Sequence, residues 1–510
     1  MITLIDNFLN KITMYRLTLY SLIVMALGGL MLSFLKILPY NPFYFILGAV
    51  FIVLICYLSN ILFAKVFKAI PNVESVYITA FILILIVTPI INLSDLLYWG
   101  FLFWVSLFAM ASKYIIAIGK KHIFNPTAFS VALMALTINQ SAGWWIGTMA
   151  MAPIVIICGL LITRKLQRFD LVMTFLVVAL LSIVGLRAQG LNSGILLASH
   201  SLLYSPLLFF SFIMLTEPMT APQAKGKRIF YAAIVGLLFS PTIHLFSLYS
   251  TPELALLVGN IFAYIVSPKQ RLVLRLKKKV QIANSTYDFV FNADEKLNFY
   301  PGQYLEWTLG HRNSDSRGNR RYFTVASSPT EEQEIRIGVK FYPNGSSFKE
   351  NLLNMEEGDT IIASQLAGEF ILPKEKQKKL VFLAGGIGIT PFRSMIKSML
   401  DKKEKRDAIL LYSNLTKQDI AYGDIIKQAE NEIGLKTIYT LTGNILPQEN
   451  WKGGVGFINE KMIKEKVPDY LDRHYYISGT HGMVVAFEKL LYDIGVPKRQ
   501  IKIDFFPGFA

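Results

Sequence analysis

Residues 381–391 read VFLAGGIGITP, and this stretch decides the fold of the second half of the chain. An apolar run ends at three glycines within four positions, and a Thr-Pro pair follows. Glycines at this point let a phosphate approach the backbone, because no side chain stands in the way. A buried strand that runs into such a turn and then into a helix predicts a nucleotide-binding α/β unit.

Strand-like runs extend in both directions from this stretch. Over 376–510 apolar runs alternate with helix-like segments, which predicts a doubly wound α/β domain; the runs are LVFLAGG, AILLYSN, TIYTLTG and RHYYISGT. Over 268–375 the runs are short, alternate in polarity and are broken by Gly, Pro and Asn. That pattern predicts a small antiparallel β-barrel.

Residues 1–267 have a different composition. The chain of 510 residues is 53% hydrophobic with a mean hydropathy of +0.43, and its apolar residues concentrate before residue 267. A membrane-spanning helix needs about 20 apolar residues. The sequence therefore predicts a polytopic α-helical membrane domain of about ten spans, near 16–36, 42–63, 74–92, 96–117, 125–140, 143–163, 170–187, 194–215, 229–249 and 252–267.

Lysine and arginine cluster in every second break between these stretches. This alternation predicts a multi-pass protein of the cytoplasmic (inner) membrane with both termini in the cytoplasm. It also accounts for the formal net charge of +16 without nucleic-acid binding. The first apolar run has no small-residue cleavage site, so we expect no cleavable signal peptide.

Cysteine and histidine usage argues against a metal centre. The two cysteines, Cys56 and Cys158, lie in apolar runs and are too few for an iron–sulfur cluster. The first half holds His122, His200 and His244, which are scattered rather than paired on two helices as a membrane haem requires. We therefore expect no metal.

Two breaks in the apolar half contain proline after a polar residue: KKHIFNPTAF (120–129) and LTEPMTAPQAKGK (215–227). Proline disfavours helix at the residue before it, so these stretches are either interrupted backbone that lines a cavity or ordinary loops. In order and spacing they resemble the membrane subunits B of the sodium-translocating NADH:quinone reductase and D of the Rnf complex, over most of residues 60–266. The resemblance implies a membrane domain that binds flavin and passes electrons across the bilayer.

Those relatives also attach a flavin phosphate to a threonine in a Ser-Gly-Ala-Thr-type motif, which this sequence lacks. The resemblance therefore implies a second, non-covalent flavin, FMN or riboflavin, in the membrane domain.

A barrel followed by an α/β domain is the architecture of the ferredoxin–NADP reductase superfamily, which the second half resembles in several motifs. The stretch NRRYFTVASSP (319–329) is similar to the family's Arg-x-Tyr-Ser/Thr. The resemblance implies that Arg321 holds the FAD pyrophosphate, for which its forked guanidinium is suited. It implies that Phe323, beside Tyr322, stacks on the flavin and that Thr324 lies at its reactive edge. A register shifted by one would put Arg320 in the place of Arg321.

Three further motifs carry the resemblance. In the first, VKFYPNGSSFKENLL (339–353), small residues open a helix and form a candidate pyrophosphate site. The second, ISGTHGMV (477–484), is similar to Cys-Gly-Pro-x-x-Met with serine in place of the cysteine. The third, DFFPGFA, ends the chain with candidate aromatic shields for the flavin. The implied cofactor-binding residues in these motifs and the opening stretch are Lys340, Gly345, Ser346, Ser347, Gly385, Gly386, Gly388, Thr390, Pro391, Ser478, Gly479, Met483, Phe505 and Phe506.

The resemblance implies hydride transfer from NADH or NADPH to FAD at Thr324, Thr390 and Ser478. Ser413 ends the strand beside the expected adenosine ribose, and Leu415 follows where NADP-binding relatives place a basic residue, with Lys417 nearby. This favours NADH.

Together these patterns predict a membrane-bound FAD-dependent NAD(P)H dehydrogenase. Electrons would pass from cytoplasmic NAD(P)H through FAD into the membrane domain, and on to a quinone or to an electron-accepting protein outside the membrane. The alternative is a redox-coupled sodium or proton transporter. The sequence leaves open the terminal acceptor, the oligomeric state and whether ions are pumped.

Overall fold

The computed structural model describes residues 5, 8–9, 12–67, 73–118, 121–187, 191–267, 271–311, 315, 317–343, 345–443, 451 and 453–504. The chain divides near residue 270 into two compact units. The first is helical, and the second contains two sheets.

In the first unit each predicted apolar stretch contains helix, although several of the helices are shorter than predicted. The helices are α1 (Met14–Phe34), α2 (Pro42–Val66), α3 (Val73–Ile86), α4 (Leu96–Ile115), α5 (Pro126–Ile138), α6 (Ala152–Leu166), α7 (Phe169–Arg187), α8 (Leu191–Leu203), α9 (Leu207–Met214), α10 (Lys225–Leu238) and α11 (Pro252–Val266).

Among the described residues, four helices are long and apolar enough to cross a membrane: α1, α2, α4 and α7. The bent pair α8 and α9, which turns by 64°, makes a fifth if it is counted as one span. Helices α3, α5 and α11 are apolar but shorter. The finding is therefore a helical unit with four or five helices that could span a membrane, where the sequence predicts about ten.

Local signals explain why α5 is short. The Asn125 side chain caps its first turn by accepting from the N–H groups of Thr127 and Ala128, and Pro126 takes the first helical position. At the other end Asn139 adopts a left-handed conformation with φ of 56° and closes the helix.

The second unit begins with the predicted antiparallel sheet. Its six strands lie in the order β4-β3-β6-β1-β2-β5, and its buried face packs around Trp307 and Phe291. The strands are β1 (Leu272–Ala283), β2 (Thr286–Ala293), β3 (Tyr304–Thr308), β4 (Arg320–Thr324), β5 (Glu334–Lys340) and β6 (Thr360–Ala367), with helix α12 (Ser347–Leu353) between the last two.

A six-stranded parallel sheet follows, in the order β10-β9-β8-β7-β11-β12. The four predicted strands form its centre, while the sequence did not indicate the two short edge strands. The elements are β7 (Leu380–Gly385), α13 (Thr390–Asp401), β8 (Ala408–Asn414), α14 (Gly423–Ile433), β9 (Lys436–Leu441), β10 (Gly454–Val455), α15 (Glu460–Lys466), β11 (His474–Ser478), α16 (His481–Asp493) and β12 (Ile501–Ile503). Separate apolar layers cover its two faces.

Helix α13, which starts at the glycine turn, is tied to the β-barrel by a buried arginine. Arg393 is 4% exposed; its Nη1 donates to the carbonyl of Ala326 at 2.9 Å, and its guanidinium forms an ion pair with Glu331. The neighbouring Ser394 hydroxyl donates to the carbonyl of Ser327 at 2.6 Å. These contacts hold the start of the α/β domain against the end of β4.

A second buried contact joins the β-barrel to the α/β domain. The Tyr422 hydroxyl donates to Asp288 of β2 at 2.9 Å, and Arg336 of β5 pairs with the same carboxylate at 3.2 Å. The Arg393 guanidinium lies 5.8 Å from the centre of the Tyr422 ring, so the two contacts form one network.

We expect Arg393→Met to destabilise the second unit by about 3 kcal/mol, because it leaves the Glu331 carboxylate and the Ala326 carbonyl without their buried partner. The matched control is Lys397→Met on the same helix, whose partly exposed pair with Asp401 contributes less than about 1 kcal/mol. Urea unfolding followed by near-UV circular dichroism measures both. Equal losses in the two variants would contradict a special role for Arg393.

Candidate functional site

Strand β4 and the first turn of α12 bring together residues predicted to bind the FAD pyrophosphate. Arg321 is 1% exposed, and its guanidinium carbon lies 5.3 Å from the centre of the Phe348 ring. Its Nη1 donates to the carbonyls of Arg317 at 2.9 Å and Gly318 at 3.2 Å, which fixes the guanidinium. Phe348 follows Ser346 and Ser347, and Ser346 caps the helix. Phe323 contacts the same ring, with 6.0 Å between ring centres.

The neighbouring side chains of β4 point elsewhere, as alternation along a strand requires. Arg320 pairs with Glu306 of β3 at 3.3 Å, and the Tyr322 hydroxyl donates to the same carboxylate at 2.8 Å. The structure thus places Arg321 rather than Arg320 beside α12, and it separates Tyr322 from this group.

Sequence reasoning missed Lys349, one turn into α12. Burial, together with the positive charges of Arg321 and Arg317, lowers its pKa to about 8. Three cations this close together repel one another; Asp315, paired with Arg317 at 2.7 Å, offsets part of this repulsion, and a bound anion would offset more of it. The Lys349 amine donates to the carbonyl of Lys340 at 3.3 Å, which holds it near the other two. The cluster of Arg317, Arg321 and Lys349 therefore fits a pyrophosphate.

The backbone of α12 also binds an anion of the protein itself. The N–H of Ser347 donates to the Asp315 carboxylate at 3.0 Å, while its hydroxyl accepts from the N–H of Asp315 at 2.9 Å. Burial opposes ionisation of Asp315, but hydrogen bonds from Ser347 and Arg317 hold its pKa below the usual value. The place predicted for a phosphate oxygen thus already selects negative charge.

The glycine turn after β7 packs closely against the turn after β11. A Cβ on Gly388 would lie 2.5 Å from the carbonyl oxygen of Ser478, and a Cβ on Gly385 would lie 1.9 Å from the sulfur of Met483. A Cβ on Gly479 would also approach Met483, at 2.9 Å. At Gly388 the obstacle is backbone, so no side chain larger than hydrogen fits there, whereas at Gly385 and Gly479 the flexible Met483 side chain would have to move. Gly386 has φ of +53° and open space around its Cα, so backbone groups are accessible there.

Thr390 and Pro391 start α13 directly after this turn. Thr390 is 8% exposed, its hydroxyl donates to the carbonyl of Ile387 at 3.2 Å, and its methyl carbon lies close to Gly338 of the barrel. Thr324, at the end of β4, is 4% exposed. Thr390 thus lies on the side of the α/β domain that contacts the barrel, and Thr324 stays a predicted member of the site.

Ser478 has a partner that the sequence did not indicate. Its hydroxyl donates to the Asp504 carboxylate at 3.0 Å, and the N–H of Asp504 donates to the carbonyl of Ile477 at 2.9 Å. Burial raises the pKa of Asp504 to about 7, although the Ser478 hydrogen bond opposes the shift. Phe505 and Phe506, the predicted aromatic shields, lie outside the described residues.

The carboxyl ends of β8 and β9 present buried polar groups. Asn414 is 4% exposed, and its side-chain amide interacts with the Tyr412 hydroxyl but forms no hydrogen bond of good geometry among the described residues. The Thr440 hydroxyl is fully buried and has no hydrogen-bond partner among the described residues. Buried polar groups without partners favour a polar ligand at this edge, where a dinucleotide's adenosine half is expected. Ser413, half-buried, lies beside Asn414, whereas Leu415 is 60% exposed.

The Lys340 side chain has a partner in the α/β domain rather than in the pyrophosphate group. Its amine pairs with Asp419, just beyond β8, at 2.7 Å, so it joins the barrel to the α/β domain. Gly345 lies at the other side of the cluster, where its carbonyl accepts from Arg317 at 3.0 Å.

In the helical unit, the two proline-containing breaks meet in one polar cluster. The Asn125 side chain donates to the Glu217 carboxylate at 2.7 Å, and Thr220 donates to the same carboxylate at 3.0 Å. The N–H of Asn125 donates to the side-chain oxygen of Asn260 at 2.8 Å, and Asn260 is fully buried. His122 lies 3.9 Å from Glu217. Sequence reasoning singled out both breaks but missed Asn260.

Two family models match the second unit. The oxidoreductase FAD-binding domain matches residues 273–370, and the oxidoreductase NAD-binding domain matches residues 382–489. They correspond to the β-barrel and to most of the α/β domain.

Curated relatives agree with these matches. NADH-cytochrome b5 reductase 1 of Ajellomyces capsulatus is 31% identical over 255 residues, which cover 47% of this chain and 81% of the relative. The chain belongs to this family of FAD- and NAD-dependent reductases. NADH-cytochrome b5 reductase 1 of Mortierella alpina is 29% identical, covering 46% of this chain and 78% of the relative. Flavohemoprotein A of Dictyostelium discoideum is 28% identical, covering 45% and 58%.

The chain thus spans little more than half of the flavohemoprotein's length. More than half of the present chain lies outside the residues that match these relatives. The predicted resemblance to ferredoxin reductases is confirmed, and with it FAD and NAD as cofactors. The resemblance of the helical unit to Nqr and Rnf subunits stays a prediction. Among the residues that the structure describes, no group of three His, Cys, Asp or Glu side chains could hold a metal ion.

We expect Lys349→Met to weaken FAD binding about tenfold, since one charge-assisted contact to phosphate contributes roughly 1.4 kcal/mol. In the unsubstituted reductase, affinity should begin to fall above pH 8, where Lys349 loses its charge, and Lys349→Met should lack this dependence. Titration of the apoprotein with FAD measures both. Lys278→Met, at an exposed position of β1, is the control; equal weakening in both variants would contradict the cluster.

The Asp504 carboxylate should assist hydride transfer, because a negative charge beside the nicotinamide stabilises the positive ring that forms. The single-turnover rate of FAD reduction by NADH should therefore rise with pH through about 7. Asp504→Asn should remain at the low-pH rate throughout. Asp493→Asn, at the end of α16, serves as the control; a wild-type profile in Asp504→Asn would refute this role.

Proposed function

We propose that this chain is a membrane-bound NAD(P)H dehydrogenase. It passes electrons from cytoplasmic NAD(P)H through FAD into the helical unit, and from there to a quinone or to an acceptor outside the membrane. The observation that carries the proposal is one chain with two halves: a family-matched FAD and NAD reductase, and a helical unit with four or five helices able to cross a membrane.

In the reductase half, each group of residues has one task. The cationic cluster of Arg317, Arg321 and Lys349 binds the pyrophosphate, and Phe323 presents an aromatic face to the flavin. The glycine turn brings the dinucleotide backbone close to the sheet edge, while Thr390 and Ser478 position the nicotinamide. FAD, when bound, accepts a hydride and releases electrons singly. The Arg393 network keeps the two binding regions in register.

NADH is the expected donor rather than NADPH. The exposed Leu415 offers no charge to a 2′-phosphate, and the nearby Asp419 carboxylate would repel one. Lys340 neutralises the Asp419 carboxylate in part, at 2.7 Å. Because Lys340 is engaged in this pair, Lys417 is the cation nearest in sequence to Leu415 that could bind a 2′-phosphate.

The polar cluster of Asn125, Glu217 and Asn260 supports the helical part of the proposal. Asn125 and Asn260 are buried among apolar helices, where polar side chains are costly unless they serve a ligand or a transfer path, while Glu217 is partly exposed. The two motifs that resemble Nqr and Rnf membrane subunits supply two of its three members. We assign the unit a second, non-covalent flavin, FMN or riboflavin, and a multi-pass placement in the cytoplasmic membrane with both termini inside.

A redox-coupled ion transporter is the second candidate, and Glu217 is the observation in its favour. A carboxylate held by Asn125 and Thr220 within a helical unit can bind a cation or a proton. NADH-driven sodium uptake into proteoliposomes separates the two proposals: uptake supports the transporter, whereas electron transfer without ion movement supports the dehydrogenase.

The full chain, reconstituted in lipid with a soluble quinone analogue, tests the dehydrogenase. We expect NADH-dependent quinone reduction and two extractable flavins, FAD and a second one. Purified protein that holds only FAD, with no further redox centre, would refute transfer through the helical unit.

Matched glycine variants link this activity to the nicotinamide site. Gly388→Ala should abolish quinone reduction while FAD stays bound, because the added Cβ meets the carbonyl of Ser478 at 2.5 Å. Gly423→Ala should leave the rate unchanged, since nothing lies within 4 Å of its Cβ position. Activity in Gly388→Ala equal to that in Gly423→Ala would overturn the assignment of the site.

A further inference from the structure

The helical unit contains a carboxyl group that the polar cluster does not include. Glu253 lies in the first turn of α11, after the capping residue Thr251, whose hydroxyl accepts from the N–H of Leu254 at 3.3 Å. Glu253 is 2% exposed. Its Oε2 is buried and has no hydrogen-bond partner among the described residues.

The helices that pack against α11 bring no described cation to this end. Helix α5 contains no charged residue, and the cations of α10 lie in its first turn. One of them, Lys227, donates to the carbonyl of Val266 at 2.6 Å, at the opposite end of α11. The remaining titratable side chain on α10, Tyr231, faces Asn260. The carboxyl has hydrogen bonds with its own backbone N–H and with the side chains of Thr251 and Trp144, which offset part of the cost of its burial but bring no positive charge.

This contrasts with Glu74 in the same unit, which forms an ion pair with Arg16. An ionised carboxylate that is buried among apolar helices without a cation is far more costly than a neutral carboxylic acid. The neutral acid also uses its O–H as a donor, which the ionised form lacks. The environment of Glu253 therefore favours the protonated group.

We propose that Glu253 is a proton-binding site inside the helical unit. The step balances simply: the carboxylate takes up one proton from water to give the neutral acid, and it releases that proton again. No electron or further reactant is involved in the binding itself.

The position of Glu253 connects this site to the polar cluster. Glu253, Leu256 and Asn260 follow one another at helical spacing on the same face of α11, and all are buried. Asn260 lies seven residues along the helix, roughly 10 Å away at 1.5 Å per residue. Glu253 therefore shares the buried face of α11 with Asn260, which is linked through Asn125 to the partly exposed Glu217.

Such a site has a use if electrons enter the unit, a role that rests on the proposed function. An added electron in a medium of low dielectric constant is stabilised by a proton bound nearby. We therefore expect the protonation of Glu253 to respond when the redox centre of the helical unit is reduced.

Infrared spectroscopy of the purified full chain in lipid tests the site directly. In chains that carry Asp504→Asn, which removes a carboxyl whose pKa is about 7, we expect at neutral pH the C=O stretching band of a protonated carboxylic acid. This band should shift in D2O and disappear when Glu253→Gln is added. Glu74→Gln should keep the band, because that carboxylate is ion-paired. Glutamine mimics the neutral acid, so NADH–ferricyanide activity, which reports an intact reductase half, should be unchanged in both variants.

Two results would overturn the proposal: a band that persists in Glu253→Gln, or a band that appears in the Asp504→Asn chain only after sodium and potassium are removed, since that indicates a cation site. Reduction by dithionite and by NADH then separates the two ideas. A band change with dithionite alone supports the proton site and refutes the NADH route, whereas no change with either reductant refutes the redox role of Glu253.

Discussion

The buried guanidinium of Arg393 is the interaction on which the reductase half depends. FAD and nicotinamide sites are built on different sheets, so their separation is set by whatever joins those sheets. Arg393 lies on the first turn of the helix that leaves the glycine turn, and it binds the chain that leaves β4. A displacement of this contact would move both halves of the site at once.

Much of the reductase fold could be predicted, because its signals are local. Alternating runs end at Gly, Pro and Asn, and the strands lie where these runs predict them. A helix also follows the glycine turn, as the sequence predicts, and it begins at Thr390. The edge strands β10 and β12 were not predicted, because two or three residues are too few to show an alternating pattern.

The residues that sequence reasoning missed have their partners far away in the chain. Lys349 gains significance only from Arg321 and Arg317, Asp504 only from Ser478, and Asn260 only from the break around Asn125. No spacing rule reveals such pairs. Fewer helices reach spanning length than the predicted number of spans for a different reason: hydropathy measures apolar length, whereas helix length is set by ends such as Asn139 and by turns such as residues 143–151.

The five residues Phe210–Met214 form a π-helix just before the second proline-containing break. A π-turn holds one residue more than an α-turn, so the chain beyond it is rotated by about 100° from the direction that a regular helix would give. Glu217 lies three residues later and meets Asn125 in that rotated direction. The direction of the Glu217 side chain therefore depends on the number of residues in the π-helix. Shortening this segment by one residue would aim the carboxylate at a different neighbour, although every side chain of the polar cluster would be chemically intact.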